Sequence, residues 1–280
     1  MNITDFDIYK DLLMAQSGLV LTQDKSYLVE SRLNPVAKKW GYQDIAGMTN
    51  VLRAVPPKDL VNDIVEAMTT NETSFFRDTR PFETFKNIAL PYFINKRAAQ
   101  KHLRIWCAAA SSGQEPYSIA MLLKEEAARL PGWRFTINAT DISHNILEQA
   151  KEGTYSQFEV QRGLPITLLM KYFTQQGDKW IISKEIRDMV NFSCFNLLDN
   201  MSALGTFDII FCRNVLIYFD QPTKKSVMER MCDRLVDDGY YFLGGAETVL
   251  GITDVLRNVP DARGLYAKSS SPHIQLVNAG

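Results

Sequence analysis

The chain has 280 residues, 46% of them hydrophobic, enough for about two domains with real cores. With 22% charged residues, 15 Gly, 11 Pro and no low-complexity stretch, it falls outside the disordered and fibrous classes. Lys and Arg number 31 against 32 Asp and Glu, so a net charge of −1 provides no general basic field for nucleic acid or an anionic membrane.

From about Thr4 to Met68 the apolar residues recur at helical spacing and no strand alternation is seen. Phe6, Ile8, Tyr9, Leu12 and Leu13 form one expected face, and Tyr27, Leu28, Leu33, Val36 and Ala37 another. Asn34-Pro35 is expected to restart or kink the second helix, because proline lacks the amide donor. Pro56-Pro57 marks a turn before a last helix through Leu60, Ile64 and Met68. The start of the chain is acidic and has no apolar signal region, and no apolar run reaches the roughly 18 residues of a membrane span. A cytoplasmic location is the simple reading, and the four scattered cysteines, none in a CxxC pair, agree with a reducing compartment.

From about Phe82 the pattern changes to short apolar runs separated by helical segments. Expected strands are Leu103 to Ala109, Arg134 to Thr140, Val190 to Cys194, Phe207 to Cys212 and Tyr240 to Gly244, with Gly264 to Lys268 as the last edge. Helices are expected over Pro116 to Leu130, Ser143 to Gly153 and Pro222 to Leu235. This alternation predicts an α/β fold with a doubly wound, mostly parallel sheet, whose ligands lie beyond the carboxyl ends of the strands. Between them Gly177-Asp178 signals a turn, with Lys179 to Ile182 as a small hairpin strand.

Candidate chemistry sits at those strand ends. The first strand runs into Ala108-Ala109-Ala110-Ser111-Ser112-Gly113-Gln114-Glu115, small residues that admit a ligand near the backbone and an acid at the helix start. That acid repels a pyrophosphate and attracts a cationic group; equally, Glu115 serves as a first-turn partner of the helix dipole. Asp141 closes the second strand, either as a ribose hydroxyl acceptor or as the cap of the next helix, a role Ser143 could share. Arg213 and Asn214 follow the fourth strand with Tyr218 one turn later; the bland alternative pairs Arg213 with a surface carboxylate and packs Tyr218 in the core. Met68 to Asp78 crowds hydroxyls, amides, two aromatics and Arg77 at the join between the two patterns, where Asn71 or Thr73 could also be a helix cap. Only three histidines are present, none paired at ligand spacing, so neither a metal site nor a Ser-His-Asp triad is expected.

Taken together, five strings resemble the chemotaxis receptor methyltransferases, the CheR-type S-adenosylmethionine-dependent protein-glutamate O-methyltransferases. They are Thr69 to Arg77, Trp106 to Ala109 with Ser112 to Ser118, Ala139 to Asp141, Asn196 to Leu198, and Cys212 to Phe219, in order along nearly the whole chain. The resemblance implies a small N-terminal helical domain (residues 1–75), a Rossmann-like methyltransferase domain (76–280) and an inserted antiparallel β-subdomain at about 173–191. It implies that Asn71, Thr73 and Arg77 contact S-adenosylmethionine, that Glu115 meets its ammonium and Asp141 its ribose, and that Asn196 and Leu197 flank the adenine. It further implies that Arg213 and Asn214 close the site, with Arg77 and Tyr218 nearest the transferred methyl, and S-adenosylhomocysteine as product. The implied partners are the helical cytoplasmic regions of chemotaxis receptors.

Between Lys25 and Lys58, the basic residues Lys25, Arg32, Lys38, Lys39, Arg53 and Lys58 stand against Glu30 and Asp44, a local excess that fits docking of acidic receptor helices and equally a solvated face. The short segment Gln175 to Lys179 has one glycine, so tethering to a receptor C-terminal peptide is not expected. A cofactor-binding module without turnover, and a methyltransferase for a small carboxylic acid, are the competing function classes.

Overall fold

The computed structural model describes residues 3–275. The chain forms two compact units, one reaching to Thr70 and including Tyr218–Thr223, the other made of Asn71–Ile217 and the residues from Lys224 on. The division falls at Thr70 rather than after residue 75. Phe75 accounts for the difference, since its ring packs edge-on against Tyr155 at 5.0 Å and Phe173 at 5.6 Å in the second unit.

The first unit is built from helices α1 (Ile3–Ser17), α2 (Ser26–Lys39), α3 (Ile45–Leu52) and α4 (Lys58–Met68). Phe6, Tyr9 and Leu13 of α1 are buried one turn apart. On α2 the buried stripe is Val29, Leu33, Val36 and Ala37, an i, i+4, i+7, i+8 series. Tyr27 lies off that stripe and is 64% exposed, which corrects its placement on the apolar face. Helix α2 also runs through Pro35 without restarting: proline removes one hydrogen bond, and the buried residues on both sides hold the turn. Asp44 caps α3 by accepting the Gly47 N–H at 3.0 Å. Inside the unit, the buried Tyr9 hydroxyl meets Thr49 Oγ1 at 2.8 Å.

The second unit begins with a helical segment made of α5 (Arg80–Thr84), a π-turn (Phe85–Ala89) and α6 (Leu90–Lys96). Its strands are β1 (His102–Ala108), β2 (Arg134–Asp141), β3 (Thr154–Ser156), β4 (Phe173–Gln176), β5 (Lys179–Ile182), β6 (Val190–Cys194), β7 (Phe207–Cys212), β8 (Leu235–Leu243), β9 (Leu256–Asn258) and β10 (Leu265–Lys268). Its further helices are α7 (Gln114–Glu125), α8 (His144–Glu152), α9 (Gln157–Gln161), α10 (Ile166–Tyr172), α11 (Lys184–Arg187), α12 (Gln221–Cys232, counted here from Lys224 on) and α13 (Pro272–Gln275).

The main sheet has the order β6-β2-β1-β7-β8-β10-β9. The first five are parallel and β10 is antiparallel to both neighbours. Every residue of β7 is buried, which is why this central strand reads as an unbroken apolar run. Its one acid, Asp208, is satisfied by Arg97 Nε at 3.1 Å and the Arg104 N–H at 2.9 Å. The strand order reverses between β1 and β7, the place where such sheets open a ligand crevice.

Two expectations are corrected. The expected last edge, Gly264 to Lys268, lies inside the sheet as β10, and the edge is β9. Three residues with one buried side chain are too short to show alternation. The antiparallel insertion is a three-stranded sheet, β3-β5-β4, that draws its first strand from Thr154–Ser156, upstream of the expected 173–191. The expected hairpin strand is present as β5, joined to β4 through Gly177 at φ 60° and Asp178.

Candidate active site

The first turn after β1 is tightly wound. Ala109, Ser111 and Gly113 have φ of 56°, 51° and 92°, so two side-chain-bearing residues occupy left-handed conformations that cost about 1–2 kcal/mol each. Gly113 is required here, because a Cβ would meet Tyr117, Ala150 and Phe192 at 3.0–3.2 Å. Helix α7 starts immediately after it.

Asp141 is buried at the end of β2 and binds this turn. Its Oδ2 accepts the Ser111 N–H at 2.8 Å and its Oδ1 accepts the Ser143 N–H at 3.0 Å. The helix cap is Ser143, whose hydroxyl accepts the Ile146 N–H at 3.1 Å. Ser111 also donates its hydroxyl to the Asn71 carbonyl at 2.8 Å, drawing the segment that opens the second unit onto the same turn.

Arg213 leaves β7 and turns inward, its side chain 2% exposed. Its Nη1 donates to Glu115 Oε2 at 2.7 Å, and its Nη2 to the Arg77 carbonyl at 2.9 Å and Asp78 Oδ2 at 2.8 Å. Its face lies 5.7 Å from the Phe82 ring, a cation–π contact, and its buried Nε has no partner. Arg213 therefore finds two carboxylates, the largely buried Glu115 and the half-exposed Asp78. Burial pushes the Glu115 carboxyl above the usual glutamate range, the guanidinium beside it pulling the other way.

The segment from Asn71 to Asp78 is fastened at several points. Phe76 N–H donates to Ser118 Oγ at 3.0 Å, Arg162 pairs with Glu72 at 2.5 Å, and the Arg77 Nη1 donates to the Glu72 carbonyl at 2.8 Å. Gly163 packs so closely that a Cβ would stand 2.1 Å from the Phe75 carbonyl oxygen. Phe76, Asp78 and Thr79 take positive φ of 49°, 67° and 47°, and a β-branched threonine there is strained. Neither Asn71 nor Thr73 caps a helix, and Thr73 is half-buried.

After β6, Asn196 folds back so that its Oδ1 accepts the Leu198 N–H at 3.0 Å, and Leu197 is buried beside it. Arg230 of α12 grips this loop through the carbonyls of Leu197, Leu198 and Asp199 at 2.7–3.0 Å. Asn214, at φ 59°, begins the turn after β7, which is held by Glu247. Tyr218 ends a 3₁₀ turn, Leu216–Tyr218, and belongs with the helical unit, where its carbonyl accepts the Val20 N–H at 2.9 Å.

The structure thus gathers Asn71, Arg77, Glu115, Asp141, Arg213 and Asn214 around the ends of β1, β2 and β7. Sequence reasoning singled out Ser111 only as a small residue of the turn, and missed Arg230 and Glu247. Glu247 stands four residues past the end of β8, where the sequence carries no signal for it. Among the described residues no group of three or more His, Cys, Asp or Glu gathers as a metal site, and no helix is long and apolar enough to cross a membrane.

A seven-stranded sheet of this order, with a small-residue turn after β1 and acids at the end of β2 and the start of α7, opens its ligand crevice at the ends of β1 and β7. Residues 71–265 match the CheR methyltransferase SAM binding domain and residues 4–69 match the CheR methyltransferase all-alpha domain. The chain is 42% identical over 265 residues to the chemotaxis protein methyltransferase Cher2 of Pseudomonas putida, covering 93% of this chain and 96% of that one. It is 39% identical over 269 residues to chemotaxis protein methyltransferase 1 of Pseudomonas aeruginosa, covering 95% and 97%. A chemotaxis protein methyltransferase of Vibrio parahaemolyticus is 40% identical over 266 residues, covering 93% and 96%. The chain belongs to the CheR methyltransferase family, and S-adenosylmethionine is its cofactor.

Proposed function

We propose that the protein transfers the methyl group of S-adenosylmethionine to glutamate side chains of chemotaxis receptors, giving glutamate methyl esters and S-adenosylhomocysteine. One observation carries the reading: Asp141 and the Glu115–Arg213 pair flank a single left-handed turn at the ends of β1, β2 and β7. That cradle fits a ligand with a ribose and an amino-acid end. Asp141 lies at the end of β2, where a carboxylate can meet ribose hydroxyls, and Glu115 Oε1 has no hydrogen bond from the described residues and could take an ammonium. The buried Arg213 Nε has no partner among the described residues. Asn71, Thr73 and Arg77 close over the cradle, Asn196 and Leu197 flank the adenine, and Asn214 completes the wall.

When bound, S-adenosylmethionine supplies an electrophilic methyl on a cationic sulfur. The acceptor glutamate, with a reference pKa near 4.3, is already ionised at neutral pH. Its carboxylate oxygen forms the new C–O bond while the C–S bond breaks and its electron pair stays on sulfur, so no proton moves and no general base is needed. The protein's work is alignment and exclusion of water. Arg77 can hold a carboxylate in a paired fashion through its Nε and Nη2 edge while Nη1 keeps its bond to the Glu72 carbonyl. By family resemblance Tyr218 shares the catalytic role with Arg77.

Receptor recognition is assigned to the N-terminal helices. Their usable positive charge is smaller than the composition implies, because Lys39 pairs with Asp63 at 2.8 Å, Arg53 with Asp5 at 2.6 Å, and Arg32 donates to the Met68 and Thr69 carbonyls at 3.0 and 3.1 Å. Lys25, Lys38 and Lys58 remain for an acidic partner in the cytoplasm. The two-residue β4–β5 turn leaves tethering to a receptor tail outside the proposal.

The test is calorimetric titration of S-adenosylhomocysteine together with methyl transfer to receptor membranes. Asp141→Ala is expected to weaken binding by about 1.5–3 kcal/mol for each lost bond to the carboxylate, and the product is expected to be base-labile methyl ester. Unchanged affinity removes Asp141 from the site, and base-stable methylation defeats the carboxylate assignment.

A further inference from the structure

Beyond Arg213 the chain makes an abrupt turn in which Asn214 is left-handed. The consecutive N–H groups of Asn214, Val215 and Leu216 converge on one point, the arrangement of a backbone anion nest. The protein fills this nest with its own carboxylate. Glu247 Oε2 accepts the Asn214 N–H at 2.8 Å, and Oε1 accepts those of Val215 at 3.1 Å and Leu216 at 2.9 Å. The same carboxylate also accepts the Gly244 N–H at 2.8 Å, so one side chain ties the exit of β8 to the exit of β7. The packing is close: a Cβ on Gly244 would lie 2.7 Å from Glu247 Oε2 and 2.9 Å from Asn214 Nδ2.

We propose that Glu247 is a positioning residue for the cofactor site, the internal anion that sets the conformation of the Arg213–Asn214 turn. The proposal rests on the site reading given above, in which Arg213 and Asn214 face the bound nucleoside. An ionised carboxylate can accept all four N–H groups, whereas the amide of glutamine offers one acceptor oxygen and turns its own N–H donors toward the nest. No other side chain of this size meets the requirement.

Affinity for S-adenosylhomocysteine, measured by calorimetry alongside thermal unfolding, tests this in Glu247→Gln, Glu247→Asp, Glu247→Ala and Asp141→Ala. Glu247→Gln is expected to bind about tenfold more weakly or worse, the scale of a lost charged hydrogen bond, with a cooperative melt retained. Glu247→Asp, with its charge one methylene short, is expected in between. Millimolar formate, a free carboxylate that fits the vacated nest, is expected to recover part of the affinity of Glu247→Ala, while chloride at equal ionic strength and formate added to Asp141→Ala have no effect. If Glu247→Gln does not fold, Glu247→Asp decides, and wild-type affinity there overturns the proposal. Wild-type affinity in Glu247→Gln, or weak binding in Glu247→Ala that formate leaves unchanged, also overturns it. If Asp141→Ala alone weakens binding, the Glu247 assignment fails and the site reading stands; if neither variant weakens it, the site reading itself fails.

Discussion

The turns after β1 and after β7 solve the same problem with the same chemistry. Each leaves a parallel strand through a left-handed residue, exposing N–H groups that the sheet no longer satisfies. Each is then held by a carboxylate from the exit of a neighbouring strand, Asp141 for the first and Glu247 for the second. The loop after β6 is the contrast. Its orphan groups are carbonyls, and a cation, Arg230, holds them. The polarity of the backbone groups left over at each strand end therefore dictates the charge of the side chain that fixes it, and a site walled by these turns inherits its shape from buried electrostatics.

The comparison is broken most severely at Arg213, which joins the two turns through Glu115. Arg213→Ala leaves a buried carboxylate without its cation and is expected to destabilise the protein by about 3–5 kcal/mol, read as a lower urea midpoint at unchanged slope. A loss below about 1 kcal/mol, the value of an exposed pair, shows that solvent screens the pair and that the turns are independent. A smaller effect is expected where steric fit does the fastening. Gly163→Ala forces a Cβ against the Phe75 carbonyl, so overpacking of about 1–3 kcal/mol is expected. The same variant should loosen Asn71 to Asp78, seen as faster amide exchange at Phe76, and unchanged exchange there detaches Gly163 from the site.

Most of the sheet was legible because buried parallel strands are apolar runs of a distinctive length, and Asp141 and Arg213 were visible as polar residues ending such runs. What failed has common physical causes. The edge strand β9 and the strand β3 are three residues each, too short for any period. Tyr27 looks apolar in composition but sits about half a turn from the Val29–Leu33–Val36 stripe. Glu247 lies in Gly244-Gly245-Ala246-Glu247, where a carboxylate reads as solvated until the converging N–H groups of a turn some thirty residues earlier are in view. The basic count of the N-terminal helices overstated their field, since Asp5 and Asp63 come from other parts of the chain.

The smallest expected effect sharpens the contrast between an acid that accepts from neutral N–H groups and one that is buried against a cation. Glu115 is pushed above its ordinary range by burial, with Arg213 opposing. Between its unfolded value, near 4.3, and its higher folded value, the native state holds more protons than the unfolded state. Stability from this group is therefore complete below the unfolded value and is lost as pH rises through the folded one. Glu115→Gln removes the titration and the charge together. The stability of the wild type relative to Glu115→Gln is accordingly expected to decline as pH is raised from about 4 toward neutrality, measured by urea unfolding at several pH values in constant salt. An advantage of the wild type that grows with pH over this interval means that the guanidinium outweighs burial, and the Glu115–Arg213 pair then holds the two turns together as an attractive ion pair at the pH where methyl transfer occurs.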